Sequence, residues 1–401
     1  DVYKRQDILL RYSESLSLFA ETKEIFQLHY PNFKNKTLVQ KDLANTLKII
    51  ASKGRKGFYE GEIAEKISSE IKKNNGLISK SDLKNYSPVW REPLISNYRD
   101  TEIITMGPPS SGGLHVIQML NILENYDLKK IGHNSLEYIN LLTEVMKFAY
   151  ADRSKYLGDP DFYDVPIKKI ISKKYANDIN KNIQIGKLTP VNEINPGKYM
   201  DGESHETTHF SVVDKTGNVI SMTYTLNSTF GSKVVIEGTG ILMNNEMDDF
   251  SAAPGIPNQF NLLGAEANEI APFKRPLSSM TPTIVLKDKE LFFTTGSPGG
   301  ARIISAVLQS IVNIIDFNMN LEDTTAAKRI HHQWYPDILE YEFTLDNTIE
   351  KNLKKMGYKT ESKLPLTCLQ TIMFSDGMYY GYGDFRRCLL YTSDAADDLW
   401  C

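Results

Sequence analysis

From Thr207 to Thr225 the chain reads TTHFSVVDKTGNVISMTYT, two runs of alternating residues on either side of KTGN. A period of two rich in β-branched and aromatic residues is the strand pattern, and a Gly-containing turn between two such runs closes a hairpin. Centring the turn on Thr216 predicts the pairs Val213 with Val219, Val212 with Ile220, Phe210 with Met222 and Thr208 with Tyr224. The last three pairs share an apolar face; the opposite face carries Ser211 with Ser221, His209 with Thr223 and Thr207 with Thr225. A slip of one residue would exchange the faces, so this register constrains the fold more than any other stretch.

The strand begins inside HETTH, residues 205–209, which fits the H-E-x-x-H pattern of zinc metalloproteases. That motif chelates because a helix brings residues i and i+4 onto one face about 6 Å apart. Along a strand the same spacing is roughly 13 Å, too far for two ligands to share an ion bonded near 2 Å. With only Glu237 or Glu246 available for recruitment as a third ligand, no metal is expected. In isolation, Thr207 and Thr208 read as β-branched residues opening a strand.

A second hairpin, PTIVLKDKELFFTT, runs into GSPGGAR and a helix whose Ile303, Ile304, Val307, Leu308, Ile311 and Ile314 share one side. Upstream, residues 7–90 read as mainly helical, with stripes at Leu43, Leu47 and Ile50 and at Ile63, Ile67 and Ile71. KGRKGFYEG reads as a loop between them and the stretch from Asp82 to Pro88 as turns. The strand TEIITM precedes a helix begun by GPPSSGG, and a longer helix from Ser135 to Tyr156 carries Tyr138, Leu141, Leu142, Val145 and Phe148. Residues 159–203, rich in Lys, Asn, Pro and Gly, read as exposed linker. Strand pairs on long amphipathic helices imply an α+β layered fold.

Net charge is −4 with 46 basic residues dispersed along 401, which argues against a nucleic-acid groove and favours a small-molecule or peptide partner. The three cysteines, Cys368, Cys388 and Cys401, cannot build a disulfide framework. No apolar run approaches the roughly 18 residues of a membrane span. The opening DVYKRQ and closing CLLYTSDAADDLWC resemble translated sequencing-adapter read-through, so residues 1–6 and 388–401 are set aside.

Taken together, TTHFSVVDKTGNVISMTYTLNSTFGS, GILMNNEMDDFSA, KRPLSSMTPTIV, GSPGGARI and HHQWYPD resemble the γ-glutamyltransferase (γ-glutamyltranspeptidase) family. GPPSSGG and AYADRSKYLGDPDF are similar to the second half of that family's large subunit. The resemblance implies an N-terminal-nucleophile hydrolase with a four-layer αββα sandwich, cleaved from one precursor between Glu206 and Thr207. Residues 7–206 would be the C-terminal part of the large subunit and 207–387 the small, catalytic one. Thr207 would be the nucleophile and Thr225 its hydrogen-bond partner, Gly299 and Gly300 the oxyanion donors. Asn227, Glu246 and Asp249 match positions that hold the substrate ammonium, and Ser278 and Ser279 those that hold its carboxylate. Phe260 falls on the lid loop where a tyrosine is familiar. His331, His332 and Trp334 match a family motif and read as structural.

The implied reaction is γ-glutamyl transfer from glutathione or related amides to water, an amino acid or a peptide, without cofactor, in a periplasmic or secreted protein. The first part of the large subunit, with its signal peptide and a carboxylate-clamping arginine, has no counterpart, so the sandwich is expected to be incomplete and apolar sheet surface exposed. No arginine is assigned the clamping role. A related acylase of β-lactam side chains or poly-γ-glutamate, or a non-catalytic relative, stays open as an alternative.

Overall fold

The computed structural model describes residues 2–26, 28, 37–194, 207–251, 253, 256, 258–259, 261–365 and 367–386. They divide into two compact units, one made of the residues up to Arg91 with Leu226–Asn245, the other of Glu92–Thr225 and the described residues from Glu246 onward.

The first unit is mainly helical: Val2–Leu16, Ala20–Ile25, Lys41–Lys53, Arg55–Tyr59, Gly61–Lys73 and Lys80–Asn85. Ile63 and Ile67 pack with Ile236 of a two-stranded ribbon, Val235–Ile236 against Ile241–Leu242. Three local expectations change. The KGRKGFYEG loop contains the helical turn Arg55–Tyr59, and the turn-rich stretch contains Lys80–Asn85, started by a Ser79/Asp82 capping box that satisfies two end donors. In Lys41–Lys53 the buried position is Thr46 rather than the exposed Leu47, because Thr46 Oγ1 donates to Thr239 O at 2.8 Å.

The second unit is built on an antiparallel sheet of β1 (Leu94–Tyr98), β2 (Thr101–Thr105), β5 (Thr283–Lys287), β6 (Glu290–Thr295), β7 (Gln370–Ser375) and β8 (Met378–Gly383), adjacent in that order. The intervening β3 (Thr208–Val213) and β4 (Val219–Tyr224) form a separate hairpin. Ile103, Val285, Phe293 and Met373 line up across the sheet and join one core with α1 (Gly112–Leu123), α2 (Leu136–Tyr156) and α3 (Arg302–Ile315). Two residues along each strand, Thr105, Thr283, Thr295 and Thr371 make a hydroxyl row, with Oγ1 contacts of 3.1 Å between the first two and 2.8 Å between the last two. The helix α2 starts where expected, with Ser135 accepting from Tyr138 N at 3.1 Å, a cap worth about 1 kcal/mol.

The β3–β4 hairpin has the expected register at every pair from Thr208–Tyr224 to Val213–Val219. It lies against β7, β5 and β6 with its polar face inward: Ser211 Oγ donates to Gln370 O and Ser221 Oγ to Thr295 O. Its apolar face is open, Phe210, Met222 and Ile220 being 38%, 45% and 55% exposed.

The segment expected as exposed linker is ordered on the core as far as residue 194. Short helices Ile167–Ile170 and Lys173–Asn180 turn Ile170, Ala176 and Ile179 inward, and Ile183 and Ile194 follow. Its lysines and asparagines form the solvent side, which masked the isoleucines in a reading by composition. Asn140 of α2 pins the segment, donating to Lys187 O and accepting from Gly186 N.

Candidate active site

Strand β3 starts at Thr208, so Thr207 stands at its mouth, opposite Thr225 at the end of β4. The Thr207 hydroxyl donates toward Thr225 Oγ1 at 3.4 Å. Two residues on, on the same inward face, His209 is 2% exposed, with Nδ1 2.8 Å from Thr223 Oγ1 and Nε2 3.2 Å from Ser211 Oγ. Burial brings its imidazole down to about 4, so it is neutral at pH 7. Of the HETTH histidines, His209 is thus engaged by strand hydroxyls; His205 lies outside the described residues, as does Glu206.

His209 also backs onto the GSPGG turn. A Cβ on Gly296 would fall 2.1 Å from its Cε1 and 2.3 Å from its Nδ1, so only glycine lets the β6 end approach β3. The turn is fastened by Gln370 N donating to Gly296 O and Cys368 N donating to Ser297 Oγ. Gly299 and Gly300 have φ of 137° and 55°, in the region that favours glycine. Their carbonyls accept from Arg302 N and Ile303 N at the start of α3. Among the described residues their own N–H groups meet no acceptor, which leaves two donors at a helix N-terminus, a place suited to developing negative charge.

Ser278 and Ser279 sit on the loop leading to β5. Ser110 Oγ donates to Met280 O, Ser111 N and Oγ both donate to Ser278 O, and Ser278 N donates to Pro109 O. This close lacing explains GPPSSGG: a Cβ at Gly112 would lie 2.0 Å from Thr281 Oγ1 and 2.8 Å from Ser279 O. The oxygens of the two serines are used as acceptors, Ser278 Oγ from Met280 N at 3.1 Å and Ser279 Oγ from Arg153 Nη2 at 3.1 Å. A hydroxyl accepting in this way keeps its one proton to donate to an anion.

Glu246 and Asp249 open and close one 3-10 turn. Burial pushes the Glu246 carboxyl up, and burial together with the Glu246 charge pushes Asp249 well above the usual carboxylate range, with Arg153 pulling it back. Two such acids at the ends of one short, partly exposed turn gain from a cation between them. The following loop folds over this turn: Asn268 Nδ2 donates to Asp249 O at 2.7 Å, Asn258 Nδ2 to Asp249 Oδ1 at 3.4 Å and Gln259 N to Asp248 Oδ2 at 2.9 Å. Phe260 lies outside the described residues. Asn227 belongs to the first unit, where it is buried at φ 74° and its Nδ2 donates to Asn245 O at 3.2 Å.

The HHQW residues are fully engaged in packing. His331 meets Ser305 and Gln333, His332 meets Asp337 and accepts from Trp334 N, and Trp334 Nε1 donates to Val191 O. Arg153 and Ser111 are the site residues not singled out from sequence. The available signal was a guanidinium on the inward stripe of α2, four residues after Ala149.

A profile described as gamma-glutamyltranspeptidase matches residues 3–389. The glutathione hydrolase proenzyme of Escherichia coli K12 is 48% identical over 381 residues, covering 95% of this chain and 65% of the relative. That of Bacillus subtilis 168 is 36% identical, covering 94% and 65%. The Acylase ACY 1 proenzyme of Pseudomonas sp. SE83 is 39% identical, covering 80% and 55%. Among solved structures, cephalosporin acylase from Bacillus halodurans superposes with a TM-score of 0.79 at 25% identity, covering 94% of this chain and 67% of that one. The chain spans about two thirds or less of the length of these curated relatives. On the extent of the profile match and the identity to these relatives, the chain belongs to the γ-glutamyltranspeptidase family.

Proposed function

We propose that the chain carries the Thr207-bearing part of an autoprocessing γ-glutamyl transferase and hydrolase acting on glutathione and related γ-glutamyl amides. The observation that carries this reading is the Thr207–Thr225 hydroxyl pair at the mouth of a strand whose next inward residue abuts the Gly296–Gly300 turn. The name of the two glutathione hydrolase proenzymes among the relatives supports both the substrate and the processing.

Thr207 Oγ1 attacks the Glu206 carbonyl, the peptide nitrogen leaves as the Thr207 amine, and water opens the resulting ester. The freed α-amine, with a pKa near 7.7–8.0, then serves as base for the same hydroxyl. In turnover Oγ1 adds to the γ-carbonyl, Gly299 and Gly300 N–H groups hold the oxyanion, and the amine passes the proton to the departing nitrogen. Water or an acceptor amine resolves the γ-glutamyl ester. Glu246 and Asp249 hold the ammonium, Ser278 and Ser279 the carboxylate, and Phe260 belongs to the lid.

On this reading residues 7–206 end the large subunit and 207–387 form the small one. The complete fold is a four-layer αββα sandwich in a periplasmic or secreted protein. The open apolar face of β3–β4 supports the fourth layer, and no helix among the described residues is long and apolar enough to cross a membrane. The acylase names among relatives and solved structures support a second reading, with a side-chain amide as substrate. Paired acids at Glu246 and Asp249 favour an amino-acid substrate instead.

Mass spectrometry of the complete gene product should find a fragment beginning at Thr207. Thr207→Ala should abolish both the split and γ-glutamyl anilide turnover, whereas His205→Ala should leave most of each. An uncleaved wild-type chain without turnover would point to a non-catalytic relative. Preference for glutaryl over γ-glutamyl anilide would point to the acylase.

A further inference from the structure

Arg153 is 4% exposed, near the end of α2, and its guanidinium faces hydroxyls. Nε donates to Ser111 Oγ at 2.9 Å and Nη2 to Ser279 Oγ at 3.1 Å. Among the described residues no carboxylate forms an ion pair with it, although Asp249 acts on it through space. Burial lowers its pKa to about 10, so the charge persists at neutral pH. A buried cation balanced mainly by dipoles is costly unless an anion completes its surroundings.

We propose that Arg153 is the positioning residue of the carboxylate subsite, holding Ser279 directly and the Ser278 backbone through Ser111 while placing a positive charge beside the Ser279 hydroxyl. This rests on the proposed role of Ser278 and Ser279. Because Ser279 Oγ accepts from Nη2, its proton is directed away from the guanidinium and toward the ligand. Ser111 accepts from Nε and donates to Ser278 O, so one guanidinium orders both members of the serine pair. An α-amino acid carries opposite charges on neighbouring atoms. Arg153 and Asp249, which act on each other through space, supply the complementary pair of charges.

The test uses three anilides with the complete gene product: γ-glutamyl, glutaryl, which keeps the carboxylate without the ammonium, and 4-aminobutyryl, which keeps the ammonium without the carboxylate. Arg153→Met should raise KM for the first two roughly tenfold or more, the scale of one charge-assisted hydrogen bond, with kcat little changed. The 4-aminobutyryl kcat/KM should fall several-fold less than that of the two carboxylate-bearing anilides, since only the influence of Arg153 on Asp249 is lost there. Arg153→Lys should show the same selectivity at smaller size, and it carries the test if the Met variant fails to process at Thr207. Combined with Ser279→Ala, the Lys effect on KM should be non-additive. Equal losses on all three anilides, or additivity with Ser279→Ala, would overturn the proposal. Failure of the underlying serine reading is separately visible, as Ser279→Ala alone leaving the carboxylate-bearing anilides unaffected.

Discussion

Gly296→Ala probes the join between β3 and the glycine turn. The added Cβ would lie 2.1 to 2.5 Å from three atoms of the His209 ring. The ring cannot move aside freely, since it is buried and meets Thr223 at 2.8 Å and Ser211 at 3.2 Å. Forcing a methyl into a packed site costs about 1–3 kcal/mol, and each hydrogen bond given up adds about 1 kcal/mol. A loss of about 2–4 kcal/mol in denaturant unfolding is therefore expected. Activity should fall further than stability explains, because His209 lies two residues from Thr207. A shift of about 1 Å between the proposed nucleophile and the proposed oxyanion donors is enough to lower kcat about 100-fold, with KM little changed. His209→Ala vacates the space, so the double variant should be more stable than the sum of the two single losses by at least about 1 kcal/mol. Gly296→Ala within about 0.5 kcal/mol of wild type, or a strictly additive cycle, would refute the steric account.

Two other outcomes follow from the same hairpin. The folded-state pKa of His209, about 4, lies below its ordinary value of 6.5, so its contribution to stability is complete above pH 6.5 and is lost as pH falls toward 4. At 1.36 kcal/mol per pH unit this is worth roughly 3 kcal/mol. His209→Gln should flatten the fall in stability across that window, and an unchanged slope in pH-resolved unfolding would count against a neutral buried ring. On the opposite face, Val212→Thr and Ile220→Thr in residues 1–401 should reduce hydrophobic-dye binding and change stability by less than about 0.5 kcal/mol. In the complete gene product the proposed fourth layer predicts that each costs about 1–3 kcal/mol, and near-neutral values there would reject that layer.

The hairpin register was legible because turn position and a period of two decide it locally, and every pair from Thr208–Tyr224 to Val213–Val219 holds. The helices α2 and α3 were legible through their own helical period, in stripes such as Tyr138, Leu141, Leu142 and Val145. The order of residues 159–194 was not, because lysine and asparagine dominate the composition while isolated isoleucines do the packing. Burial of Thr46 in place of Leu47 depends on a carbonyl 193 residues away. Arg153 was hidden for a similar reason: its bond to Ser279 spans 126 residues, and periodicity carries no information about partners at that distance.

The inverted burial of the hairpin has a physical cause that patterning alone cannot supply. An apolar inner face would make a drier join to the six-stranded sheet, but it would leave no hydroxyl beside Thr207. Turning Thr207, His209 and Ser211 inward, opposite Thr225, Thr223 and Ser221, places six polar side chains in a join that would otherwise be apolar. Each would cost about 1–3 kcal/mol if left without a partner. The structure offsets this cost by bonding them to one another and to the Gln370 and Thr295 carbonyls of the sheet. The row is therefore ordered as well as polar, and its outermost member is Thr207. A strand that departs from the usual inside-out pattern, while satisfying every inward group named, is what the nucleophile proposed at Thr207 requires.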